Sequence, residues 1–118
     1  MGIRLKRAYT DPSPDDGYRI LVERLWPRGL TKARLAIDLW LKEIAPSPEL
    51  RKWFAHDPAK WTEFIERYRL ELDQNRVVVD ELKRITEQHD VVTFVYAASD
   101  TERNSARLLK DYIEESPS

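Results

Sequence analysis

The run Val91-Val92-Thr93-Phe94-Val95-Tyr96-Ala97-Ala98 constrains the fold more than any other segment of the chain. It is close to continuously apolar, rich in β-branched and aromatic side chains, and short. Such runs form strands covered on both faces, and these occur where helices pack on a mostly parallel sheet. The expected architecture is therefore α/β: one small domain over residues 1–118, a mostly parallel sheet flanked by helices, with this segment as its central strand. A length of 118 residues suits one domain and lets it bury roughly two thirds of its unfolded surface.

Other elements follow from shorter signals. Ile3 and Leu5 alternate with Arg4 and Lys6, which predicts a first strand from Ile3 to Tyr9. The segment from Thr10 to Gly17 carries two prolines, three acids and a glycine, as an exposed loop does. Tyr18 to Trp26 reads as a second strand, closed by Pro27 and Gly29. Thr31 is a suitable N-cap for a short helix through Leu35. Ile37, Trp40, Leu41 and Ile44 have helical spacing and favour helix, although the alternation Ile37, Leu39, Leu41 also fits a strand.

Ser47-Pro48 and Asp57-Pro58 each place a capping residue before a proline at the first helical position. The first opens a brief helix ending near Phe54. The second opens a long one with Trp61, Phe64, Ile65, Tyr68, Leu72, Val79, Leu82 and Ile85 along one stripe, bent or broken at Asn75-Arg76. Ser99-Asp100-Thr101-Glu102 has capping-box spacing ahead of a final amphipathic helix, and the tail from Glu114 to Ser118 is expected to fray.

Hydrophobic content of 42% with four tryptophans excludes a disordered chain. Twenty Lys and Arg against 21 Asp and Glu mean that any affinity for nucleic acid must come from a local patch. The absence of cysteine excludes disulfides, a thiol nucleophile and thiolate-ligated metal. No long apolar stretch follows Met1, so neither a signal peptide nor a membrane span is expected, and the cytoplasm is the expected compartment.

The candidate site begins with charges on the second strand. Glu23, Arg24 and Arg28 share a short segment with Trp26, and charged groups there must reach solvent, find partners or meet a ligand. In open α/β sheets ligands bind beyond the carboxyl ends of strands, beside helix N-termini. If the second and last strands are neighbours, Arg24 and Arg28 face the turn after Tyr96. Guanidinium groups clamp phosphate and carboxylate there, Ser99 and Asn104 supply hydrogen bonds, and Trp26 and Tyr96 form an aromatic wall. His56 or Asp57 is the candidate for proton transfer. The structural alternative is that Ser99 or Asp100 caps the helix, Asp57 caps another, and the arginines pair with Glu23, Asp38 or Glu43. His56 and His89 share no ligand spacing, so no metal is expected. No glycine-rich phosphate loop is present, and no cofactor is implied.

Three function classes remain in order of preference: a small anionic ligand at the sheet edge; a nucleic-acid-associated module using Arg4, Lys6, Arg7, Arg19, Arg28, Lys32 and Arg34; and a partner-binding or dimeric scaffold anchored on Trp26. The oligomeric state is left open by the sequence.

The segment DDGYRILVERLWPRGLTKARLAIDLWLKEIAPSPELRKWFAHDP, followed by W-x-x-F-x-x-R-Y and a late Y-A-A-x-D-x-x-x-N, closely resembles the YeaO-like family of unknown function, over nearly the whole chain. The resemblance implies a small cytoplasmic prokaryotic α/β protein and assigns no reaction. Relatives often read Asn-His-Ala where this chain has Asn104-Ser105-Ala106, so any activity resting on that histidine is in doubt here. More distant relatives carry a cysteine near the end of the late strand; this chain has none, and no thiol mechanism transfers to it.

Overall fold

Four strands form one parallel sheet in a computed structural model that describes residues 2–115. They are β1 (Gly2–Arg7), β2 (Tyr18–Leu21), β3 (Leu39–Trp40) and β4 (Val91–Tyr96), in the spatial order β1-β4-β2-β3. The apolar run is thus an inner strand, as its composition requires. Gly2 to Arg7 pair with Val91 to Tyr96 on one side of it, and Tyr18 to Leu21 pair with Val92 to Val95 on the other. The chain is an α/β protein.

Among the described residues five α-helices complete the fold: α1 (Lys32–Leu35), α2 (Pro48–Phe54), α3 (Trp61–Gln74), α4 (Arg76–Gln88) and α5 (Ser105–Glu115). The expected caps at Thr31 and Ser47 are present, each side chain accepting an amide from the first turn. Asp57 caps a single 3₁₀ turn, Pro58–Lys60, that leads into α3, and the long helix breaks at Asn75.

The two faces of the sheet are covered unequally. Ile20, Val22, Val92, Phe94 and Tyr96 point into the main core with Leu50 of α2, Phe64, Tyr68 and Leu72 of α3, Val79 and Leu82 of α4, and Leu108, Leu109, Tyr112 and Ile113 of α5. Each fully buried side chain of this size contributes about 1.5–3 kcal/mol. Leu21 and Val95 face the other way, into a small cluster with Ala8 and Leu35. Trp26, Leu30, Ile37 and Trp40 pack around that cluster, and beside it the face carries an ionic group. Asp16 accepts from Lys6 Nζ at 2.9 Å and from Arg19 Nη1 at 2.6 Å, while Arg19 also donates to the carbonyls of Leu35 and Ala36. Gly17, at φ 64°, holds this corner against β4, and a Cβ there would lie 2.2 Å from the Val91 carbonyl oxygen.

Five boundaries differ from the sequence reading, the first being that β4 stops at Tyr96 rather than Ala98. β1 stops at Arg7 rather than Tyr9. β2 stops at Leu21 rather than Trp26, because the Ala97 amide that would extend the sheet is taken by the Glu23 side chain at 2.7 Å. Over residues 37–44 the favoured helix is replaced by β3 and a 3₁₀ turn. Here the Asp38 and Leu41 amides bond to the carbonyls of Arg19 and Leu21, so sheet pairing overrides the helical spacing. Finally, α5 begins at Ser105, since Asp100 closes a turn onto the amides of Glu102 and Arg103 instead of starting the helix. Helix α5 continues through Glu115, and the remainder of the expected frayed tail lies outside the described residues.

Candidate functional site

The ladder between β2 and β4 brings their carboxyl ends together, which is the neighbour relation the sequence argument required. Beyond those ends lies a cleft of about 390 Å³ whose walls come from several places in the chain, Tyr9, Pro46 and Phe64 among them. The loop after β2 supplies Glu23, Trp26 and Arg28. Helix α2 and the turn after it supply Arg51, Phe54 and His56. The segment after β4 supplies Ala97, Ala98 and Arg103, and the start of α5 supplies Asn104 and Ser105. A second cavity of about 440 Å³ shares Phe54, His56, Ala97, Ala98 and Arg103 with the first and adds Ser99 and Asp100. The two form one groove over the sheet edge.

Local chemistry explains how these groups are aimed. Helix α2 ends on Ala55 at φ 47°, whose amide donates to the Arg51 carbonyl, and His56 follows at φ 57°. Two successive non-glycine residues in the left-handed region are strained, and their effect is to turn the chain back sharply and set His56 on the groove. Trp26 is pinned by its Nε1 donating to the Leu30 carbonyl at 2.6 Å and by an edge contact with Trp40 at 5.5 Å. Trp40 in turn donates from Nε1 to the Glu23 carbonyl at 2.7 Å.

Electrostatics single out Glu23. Its half-buried carboxyl is pushed above the ordinary value by burial, against weaker opposing effects of the Ala97 amide and the charges of Arg51 and His56. It has no ion-pair partner among the described residues, and neither have Arg28 and Arg51, whereas Arg103 pairs with Asp100. The cleft thus holds more cationic than anionic groups, with its one lining carboxylate fixed in place.

Of the residues singled out from sequence, Trp26, Arg28, His56 and Asn104 line the cleft, and Ser99 lines the adjoining cavity. Asn104 is committed to the fold: it is 4% exposed, caps α5 by accepting the Arg107 amide, and donates to the Asp100 carbonyl. Arg24 is not among the lining residues of either cavity. Its guanidinium donates to the carbonyls of Pro46 and Ala45, holding the approach to α2. Tyr96 is 4% exposed and belongs to the core. Asp57 caps the turn before α3, accepting from the Ala59 amide. Arg51, Arg103 and the inward role of Glu23 were missed. The two arginines carry no local motif; Glu23 was visible only as a charge needing a partner.

The basic residues proposed for nucleic acid are mostly engaged. Lys6 and Arg19 bind Asp16, Arg4 donates to the Asp15 carbonyl, Arg7 donates to the Ala98 carbonyl, and Arg34 pairs with Asp11. His89 stacks on Tyr18 at the amino end of the sheet, far along the strands from His56. Among the described residues no cluster of three or more metal-ligating side chains is found, and no helix is long and apolar enough to cross a membrane.

Fold and site together define a small open α/β protein with a charged cleft at the carboxyl edge of a parallel sheet. The chain belongs to the family described as the inactive DUF488-N3 subclade, whose model matches residues 2–117. It is 43% identical over 113 residues to the uncharacterized protein YeaO of Escherichia coli K12, covering 96% of this chain and 97% of that one. It is likewise 41% identical over 111 residues to an uncharacterized protein of Mycobacterium tuberculosis H37Rv, covering 94% and 92%. No solved structure matches the chain.

Proposed function

We propose that this protein binds a small anionic ligand, bearing phosphate or carboxylate, in the cleft at the carboxyl edge of its sheet, and that it acts by binding without catalysing a reaction. The observation that carries the reading is the convergence of Arg28, Arg51 and Arg103 on one cleft, two of them without a carboxylate partner among the described residues. Guanidinium forks suit planar and tetrahedral oxyanions, and the N-terminus of α5 adds dipole attraction of about 0.3–1 kcal/mol. A family described as inactive is consistent with a retained pocket and no turnover, and Ser105 stands where relatives often have histidine. Of the two residues expected to transfer a proton, His56 lines the cleft and Asp57 does not. The reading places the protein in the cytoplasm and needs no cofactor. A nucleic-acid surface is disfavoured by the engagement of Lys6, Arg7 and Arg19, and an anchor role for Trp26 by its internal hydrogen bond.

The test is a thermal-shift screen of phosphates, nucleotides, sugar phosphates and carboxylates on the parent and on Arg51→Ala. A ligand at a hundred times its dissociation constant adds about 2.7 kcal/mol of stability. The reading predicts a shift that Arg51→Ala abolishes. Absence of any shift, or one that Arg51→Ala retains in full, contradicts it.

A further inference from the structure

A bare anion gains nothing from the carboxylate that lines this cleft. Glu23 is held at both ends: Oε2 accepts the Ala97 amide at 2.7 Å, and the main-chain carbonyl accepts the Trp40 indole N–H at 2.7 Å. It is therefore not placed to swing away as a ligand enters. Oε1 has no partner among the described residues. Because no fully buried side-chain polar atom there is left unpartnered, this oxygen keeps some exposure, and Glu23 lines the cleft. A fixed acceptor facing the cavity repels phosphate or carboxylate and selects for a ligand that brings a hydrogen-bond donor to it.

The other walls limit what carries that donor. Trp26 is immobilised edge-on against Trp40, and Phe54, backed by the buried Phe64 at a ring-centroid distance of 4.4 Å, also lines the cleft. Trp26 and Phe54 give flat apolar surfaces suited to a planar body rather than a polyol. Charge sets the remainder. Arg28 and Arg51 against Glu23 leave the cleft cationic, since Arg103 already pairs with Asp100. A zwitterion would leave that excess uncompensated, whereas an anion with a neutral N–H donor would match it.

We infer that the ligand joins its anionic group to a flat heteroaromatic ring bearing an N–H donor, as a nucleoside monophosphate does, and that Glu23 is the residue that reads the donor. This rests on the anion-pocket reading and adds a second recognition element to it. The arginines hold the phosphate, the aromatic walls hold the ring, and Glu23 accepts from the edge of the base. A volume of about 390 Å³ lies within the ordinary range for such a small-molecule site.

Calorimetric titration of the full chain with the four common nucleoside monophosphates, with ribose 5-phosphate and with guanosine tests this. In the parent, at least one nucleotide should bind at least about tenfold more tightly than ribose 5-phosphate, the scale of one hydrogen bond to a charged group. Glu23→Gln should remove that advantage while leaving ribose 5-phosphate as tight or tighter, and Arg51→Ala should weaken every phosphate. Equal affinity of ribose 5-phosphate and all four nucleotides for the parent overturns the inference and leaves the anion reading standing; this comparison needs no variant. Unchanged nucleotide binding in a folded Glu23→Gln overturns the role of Glu23. Failure of every phosphate to bind overturns both readings.

Discussion

Asp16 and Glu23 are carboxylates at the two ends of β2, and the fold treats them oppositely. Asp16, 4% exposed, receives Lys6, Arg19 and the Ser13 amide. Burial alone would raise its carboxyl, but the Lys6 hydrogen bond, the Ser13 amide and Arg19 together outweigh it and hold the group below its ordinary value. Glu23 receives one amide, and burial wins, so its carboxyl lies above the ordinary value. An ion with all its partners inside the protein is part of the scaffold. One fixed in place without a counter-ion, beside unpaired arginines, is available to something outside, and perturbed groups in clefts mark sites for that reason.

Breaking the first of these should have the largest effect. Asp16→Ala leaves Arg19 buried without its carboxylate and is expected to cost about 3–5 kcal/mol, read as a lower midpoint in urea denaturation. Arg24→Ala comes next. It removes charged donors from the carbonyls of Ala45 and Pro46 and should cost about 1.5–3 kcal/mol while leaving ligand affinity unchanged. An equal loss of affinity would place Arg24 in the site after all. Ala36→Gly, at φ 51° and away from the cleft, should stabilise by about 1 kcal/mol by relieving a left-handed backbone. The same change at Ala55 should stabilise similarly but weaken binding, because it loosens the turn that aims His56 at the groove.

The smallest effects separate the carboxylates by pH. For Asp16, whose folded value is lowered, the stabilisation is present above the unfolded value near 3.8 and disappears as pH falls through the folded value. Acid denaturation curves of parent and Asp16→Asn should therefore converge only below that point. For Glu23 the sign reverses. The folded state holds the proton more tightly, so stability falls as pH rises from the ordinary value of 4.5 through the raised one. Glu23→Gln should match the parent in acid and equal or exceed it near neutral pH, since it keeps an acceptor for Ala97 without the buried charge. A marked destabilisation there would make Glu23 a second scaffold ion.

Much of the scaffold was legible because single local signals decide it. An apolar run of strand length fixed β4 as an inner strand, and Thr31 and Ser47 announced their helices through side-chain caps. Residues 37–44 satisfied two periodicities at once, and only pairing with β2 chose between them. Asn104 was read as a site residue, and its capping role was hidden behind Ser99 and Asp100, of which Asp100 closes a turn instead. The cleft was legible in place and less so in membership. Trp26 and Arg28 follow the strand end directly, but the direction of Arg24 depends on β2 stopping at Leu21, which in turn depends on where Glu23 places its carboxylate. Arg51 and Arg103 enter the cleft from elements distant in sequence, and nothing local marks them.

The most direct measurement is a side-chain carboxyl NMR titration that follows Asp16 and Glu23 in the same sample. Asp16 titrating below 3.8 and Glu23 above 4.5 is the result this account predicts. Two carboxylates titrating together at ordinary or lowered values would contradict it, because Glu23 would then already have its counter-ion within the protein.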